Sequence, residues 1–179
     1  MQDRNFLEAT IGQFRLQKKL AERAMDQVND EQFFAQLDPE SNGIAAIVKH
    51  VAGNLRSRWT DFLASDGEKP DRKRDKEFLK EATDTRASLL ASWETSWQCL
   101  LDSLEELTPA DLNKTVRIVS EPHSSTQAIQ RSLAHTAQHV GQIILLTKHY
   151  AGAQWRTLSI PRGKSDEFHR QFREKHGSA

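Results

Sequence analysis

The sequence predicts an all-α fold, a bundle of four long amphipathic helices followed by a short C-terminal extension. Three observations carry this. Four segments place their apolar residues at three- and four-residue steps, the period of a helix. Each segment ends at a proline, a glycine or a polar stretch. The 179 residues, 37% of them hydrophobic, suffice for a core in which each helix buries only one face. A single domain over residues 1–179 is expected, with about 153–179 as the extension.

The first helix is expected over about 5–29, on Phe6, Leu7, Ile11, Phe14, Leu20, Ala21 and Met25. Phe33, Phe34 and Leu37 follow before Asp38-Pro39 breaks the chain. A second helix is expected from a cap at Ser41 or Asn42 to about Ala64, with Ile44, Ile47, Val48, Val51, Leu55, Trp59 and Phe62 as its apolar arc. Residues 65–77 mix charges and contain no apolar side chain, which predicts an exposed loop. The basic run Arg72-Lys73-Arg74 has acids around it and reads as solvated. The third helix is expected from Thr83 or Asp84 to Leu107, with Trp93 and Trp97 in a core stripe, and Thr108-Pro109 stops it. Thr115 to Val119 has the make-up of a brief strand. The fourth helix is expected from Ser124, Ser125 or Thr126 to about Tyr150, ahead of Gly152, and a short polar helix from about Ser165 to Lys175.

Composition excludes several classes. Lys plus Arg number 25 and Asp plus Glu 25, so there is no net basic field to hold nucleic acid. The one cysteine, Cys99, allows no disulfide and reads as a buried spectator. No run approaches the ~18 apolar residues of a membrane span, and Met1 to Phe6 lacks the apolar stretch of a signal peptide. The cytoplasm is the expected compartment.

Seven histidines are present, and helix position separates them. His135 and His139 lie four residues apart on the fourth helix, about 40° apart around the axis at ~100° per residue, so both leave one face. That spacing lets two imidazoles bind one ion. Position 136 is threonine, so the glutamate of a protease-type HExxH is missing. His50 sits at the edge of the second helix's apolar arc, with Gly53 and Asn54 on the same side. Two ligands from one helix and a third from another would leave open positions, as catalytic rather than structural sites do. The alternative for His50 is a neutral core histidine satisfied by a carbonyl. His123, His149, His169 and His176 fall in a loop, near a helix end and in the polar tail.

The stretch Ile47-Val48-Lys49-His50-Val51-Ala52-Gly53-Asn54 and the later Leu133-Ala134-His135-Thr136-Ala137-Gln138-His139-Val140-Gly141-Gln142-Ile143, in that order, resemble the DinB-like superfamily. This superfamily includes YfiT-like metal-dependent hydrolases and bacterial thiol-dependent transferases. The tail from Trp155 to Ser165 resembles that of a branch without an assigned function. The resemblance implies an up-down-down-up four-helix bundle, often a homodimer. It also implies a divalent ion such as nickel, zinc or iron on His50, His135 and His139.

Two functions follow as expectations. The first is a metal-dependent hydrolase or thiol S-transferase acting on a small molecule, thiols of low molecular weight included, with no nucleic-acid or membrane partner. Asn54 and Gln142 lie near the ligands and are candidates to orient water or substrate. Arg58, one turn beyond Asn54, is a candidate anion contact. The second is a non-catalytic metal-binding stress-response or ligand-binding module.

Overall fold

The computed structural model describes residues 2–177. Six α-helices and one two-stranded sheet make up its regular structure: α1 (Gln2–Met25), α2 (Asp30–Phe34), α3 (Ile44–Trp59), α4 (Arg86–Glu106), β1 (Thr115–Ile118), β2 (Glu121–Ser124), α5 (Ser125–Ala151) and α6 (Ser165–His176). Short 3-10 turns at Arg74–Phe78, Pro109–Asp111 and Gly152–Gln154 join them. Among the described residues no helix is long and apolar enough to cross a membrane.

Reciprocal side-chain caps set several helix starts. Asn29 and Gln32 cap α2, Thr85 and Ser88 cap α4, and Ser124 and Gln127 cap α5. The four long helices pack around one core, α3 against α4 and α5, and α1 against α5 and α4. Phe14 stands at its centre, edge-on to Trp59 at 6.0 Å and to Trp97 at 6.3 Å. The Trp59 indole donates to Ser132 Oγ at 3.1 Å, which ties α3 to α5. Beyond α5, Trp155 and Leu158 pack on the core, and Arg156 exchanges hydrogen bonds with the Gln27 side chain at the end of α1.

The helices expected from the spacing are present, but two boundaries shift. The first helix ends at Met25, and the apolar pair Phe33-Phe34 belongs to a separate short helix. α3 begins after Gly43 and ends at Trp59, five residues before Ala64. Thr60 turns extended and ends the helix, Asp61 then adopts a left-handed conformation (φ 50°), and Phe62 stacks on Trp59 at 4.7 Å. An aspartate tolerates that conformation better than most residues. The brief strand at 115–119 is one arm of a hairpin, with Val116 opposite His123 and a turn at Val119 and Ser120, both at positive φ.

Residues 65–77 depart most from expectation. Pro70, Asp71 and residues 73–76 are exposed as expected, but the rest of the segment is not solvated. Asp66 accepts hydrogen bonds from the amides of Val119 (2.9 Å) and Ser120 (2.7 Å), so it holds the hairpin turn. Gly67 donates to Arg117 O at 2.8 Å and accepts from Ser57 Oγ at 2.9 Å. Lys73 and Arg74 are exposed as the basic run predicts, but the Arg72 side chain is only 5% exposed. The charges of this segment satisfy one another and the backbone around it, a pairing that apolar periodicity does not report.

Candidate metal centre

α3 carries His50 and α5 carries His135 and His139, and the packing of these helices brings the three rings together. His50 Nε2 lies 3.3 Å from His135 Nε2, and His139 Nε2 lies 3.2 Å from it. One ligand atom from each ring falls within 4.8 Å of the others. His50 is buried, and the other two are half-buried.

The far side of each ring decides what the near side can do. His50 Nδ1 meets Glu77 Oε2 at 2.8 Å, in the 3-10 turn Arg74–Phe78. Arg72 grips the same carboxylate with two bonds, Nε to Oε1 at 2.8 Å and a terminal nitrogen to Oε2 at 2.9 Å. Burial pushes the Glu77 carboxyl up, but the His50 hydrogen bond and Arg72 bring it below its ordinary value. It is therefore an acceptor, so His50 carries its proton on Nδ1 and leaves Nε2 with a free lone pair. Phe78 stacks on the His50 ring at 4.9 Å and holds its plane. His139 Nδ1 meets Gln142 Oε1 at 2.8 Å, which likewise turns its Nε2 lone pair inward.

Burial, then the neighbouring His139 and His50, push His135 down to about 4. Burial also lowers His139, against the Gln142 bond that raises it. Imidazoles that turn unprotonated nitrogens toward one another lack enough protons to satisfy all three. A single Nε2 proton on His135 could serve the other two only in part, and its Nδ1 is buried without a hydrogen-bond partner. A divalent cation fits this donor set. Metal–nitrogen bonds of ~2.0–2.1 Å bring neighbouring ligand nitrogens about 2.9–3.4 Å apart, the range the two measured separations occupy. All-imidazole donors suit nickel, zinc or iron.

Gly53, one turn after His50 on α3, makes the Glu77 contact possible. A Cβ there would stand 2.8 Å from Glu77 Cδ and closer still to its oxygen. Glycine inside a helix costs roughly 1 kcal/mol relative to alanine, and here the missing side chain leaves room for the carboxylate.

A cavity of about 360 Å³ opens beside His50 and His135. Buried Asn54 and half-buried Arg58 line it, so the structure brings both to the histidines. Arg58 donates to Gly67 O and, at 2.8 Å, to Glu68. Gln142 differs: it is exposed, and its amide oxygen engages His139 rather than the cavity. Cys99 is half-buried, with its thiol 3.6 Å from Thr60 Oγ1. His149, His169 and His176 are exposed, and half-buried His123 approaches Glu121 at 3.4 Å.

Sequence reasoning missed Arg72, Glu77 and Phe78. Their segment carries no helical periodicity, and its pairing with α3 spans 27 residues from His50 to Glu77. The available signal was Gly53, an unfavourable residue on the same helix face as His50.

No curated protein matches the chain. The family described as Protein of unknown function (DUF1572) matches residues 2–164, nearly all of it. By that match the chain belongs to the DUF1572 family.

Proposed function

We propose that this protein is a divalent-metal-dependent enzyme acting on a small molecule, by hydrolysis or by thiol transfer, with His50, His135 and His139 as its metal ligands. The observation that carries the proposal is the convergence of three Nε2 atoms, two with their opposite nitrogens already engaged by Glu77 and Gln142. Ligand histidines commonly donate their other N–H in this way, which fixes tautomer and orientation. When bound, the ion would supply Lewis acidity that lowers the pKa of a water or thiol.

The chain's own residues supply the rest. Glu77 holds the proton at His50 Nδ1, and Arg72 holds Glu77. Asn54 reaches the cavity from the helix that carries His50 and is placed to orient a polar substrate group. Trp59 and Phe62 form an apolar wall that excludes water from one side. Three protein ligands, rather than four, leave coordination positions for substrate on the cavity side. The packed helix pairs support the finer fold reading, a DinB-like four-helix bundle, and the same resemblance suggests a homodimer.

The test is elemental analysis of protein purified without a nickel column, compared with His135→Ala, and turnover of a panel of thiols, esters and electrophiles. About one equivalent of metal in the wild type, lost in the variant together with activity, supports the enzyme. Metal loss that lowers the melting temperature with no metal-dependent turnover of any panel member favours the non-catalytic binding module.

A further inference from the structure

The cavity beside the histidines has a charge pattern that the neutral chain as a whole does not. Among the described residues, Arg58, Arg72, Arg74, Arg117 and Arg131 line it, against a single carboxylate, Glu68. Glu68 is shared between Arg58 at 2.8 Å and Arg72 at 3.2 Å, and Arg72 is further occupied by Glu77. Arg131 has only a loose approach to Glu121, at 4.0 Å, and its side chain is 57% exposed. Arg117 uses one terminal nitrogen on Ser120 O. The whole chain carries 25 basic and 25 acidic side chains, so this excess is local.

The residue type is informative. Among the described residues no lysine lines the cavity. Guanidinium groups present planar paired donors that match the two oxygens of a carboxylate or phosphate, where an ammonium acts as a point charge. Arg58 is drawn below its ordinary value by burial, and Arg72 and Arg131 oppose the help of Glu68. Such mutual repulsion is relieved when an anion enters. Trp59, Phe62, Val116 and Ile118 line it too, so apolar surface adjoins the charged residues. The volume, about 360 Å³, lies at the small end of ligand pockets, which run from about 300 to 1,000 Å³.

We infer that the cavity takes a small amphipathic organic anion, its carboxylate or phosphate on Arg131 and Arg58 and its apolar body against Trp59, Phe62 and Ile118. The inference names the substrate class of the proposed enzyme and in that sense rests on the metal-site reading, since His50 and His135 border the same space. The arginine side of the cavity does not need the ion, so the two are separable by experiment.

The probes are 4-phenylbutyrate, phenyl phosphate and the uncharged 4-phenylbutyramide, titrated by calorimetry and by amide NMR into metal-free and metal-loaded wild type. Arg131→Gln and Arg131→Lys are titrated in parallel. Arg131 is exposed, so these variants leave the core intact. At least one anion is expected to bind the metal-free protein about tenfold or more tightly than the amide, as one charge-assisted contact warrants. Arg131→Gln is expected to lose that preference, and Arg131→Lys to keep part of it. Whether carboxylate or phosphate is favoured identifies the head group. Anion and amide binding alike, no binding of either anion at millimolar concentration, or an Arg131→Gln variant that retains the full preference each overturns the inference. If the protein binds metal but shows no charge preference, the metal centre stands and the anion subsite falls. If it prefers the anion but takes up no metal, the reverse holds.

Discussion

The substitution Gly53→Ala tests the link between fold and site most sharply, because local and tertiary effects have opposite signs. In an isolated helix, alanine for glycine stabilises by about 0.8–1 kcal/mol. Here the new Cβ enters the space of the Glu77 carboxylate. That side chain cannot simply swing aside, since Arg72 holds both oxygens and His50 shares one. The carboxylate must yield, and with it the acceptor that fixes the His50 ring. Loss of such an outer partner typically costs about 10–100-fold in metal affinity, which is about 1.4–2.8 kcal/mol. The assay is competition of zinc and nickel between the protein and a chromophoric chelator, for wild type, Gly53→Ala, Glu77→Ala and the double variant. Each single change is expected to weaken binding within that range. The double variant is expected to bind no more weakly than Glu77→Ala alone, because the clash has lost its target. Gly53→Ala with wild-type affinity and a raised melting temperature would refute the role assigned to Glu77. Additive losses in the double variant would refute the route through it.

Four further outcomes are expected. Saturating zinc or nickel at about 100 times its dissociation constant should stabilise the wild type by about 2.7 kcal/mol in urea denaturation, and His135→Ala should show no such gain. A chelator added to the loaded protein should reverse that gain and leave far-ultraviolet circular dichroism helical. Arg72→Ala strands the buried Glu77 carboxylate and should cost about 3 kcal/mol in urea denaturation; a loss below about 0.5 kcal/mol would count against a buried pair. The amides of Glu68, Ser120 and Val119 hold the Asp66 carboxyl below its ordinary value, so its contribution is present above the unfolded pKa of about 3.9 and lost as pH falls through and below it. Asp66→Ala should therefore flatten that part of the acid limb in pH-dependent denaturation, and an unchanged slope between wild type and variant would contradict it.

Much of this protein can be read from spacing alone. The apolar periods of the long segments specify α1, α3, α4 and α5, because each helix must bury one stripe and the stripe recurs with the helical turn. The four-residue step from His135 to His139 puts both rings on one face for the same reason, and His50 is recognisable at the edge of its arc. Helix ends were less legible, since the chain leaves the helix at Thr60 and turns left-handed at Asp61, and Phe62 then meets Trp59. The hydrophilic segment 65–77 was legible only in part. Hydropathy marks it as solvent-exposed, yet Arg72 and Glu77 are buried because each neutralises the other and Glu77 also answers His50. Pairing of opposite charges across the fold has no period in the chain. The sequence by itself determined which helices form and which faces carry imidazoles. Only tertiary packing decided that three of those rings meet, that a glutamate from a charged loop stands behind one of them, and that arginines from α3, α5 and that same loop line one cavity.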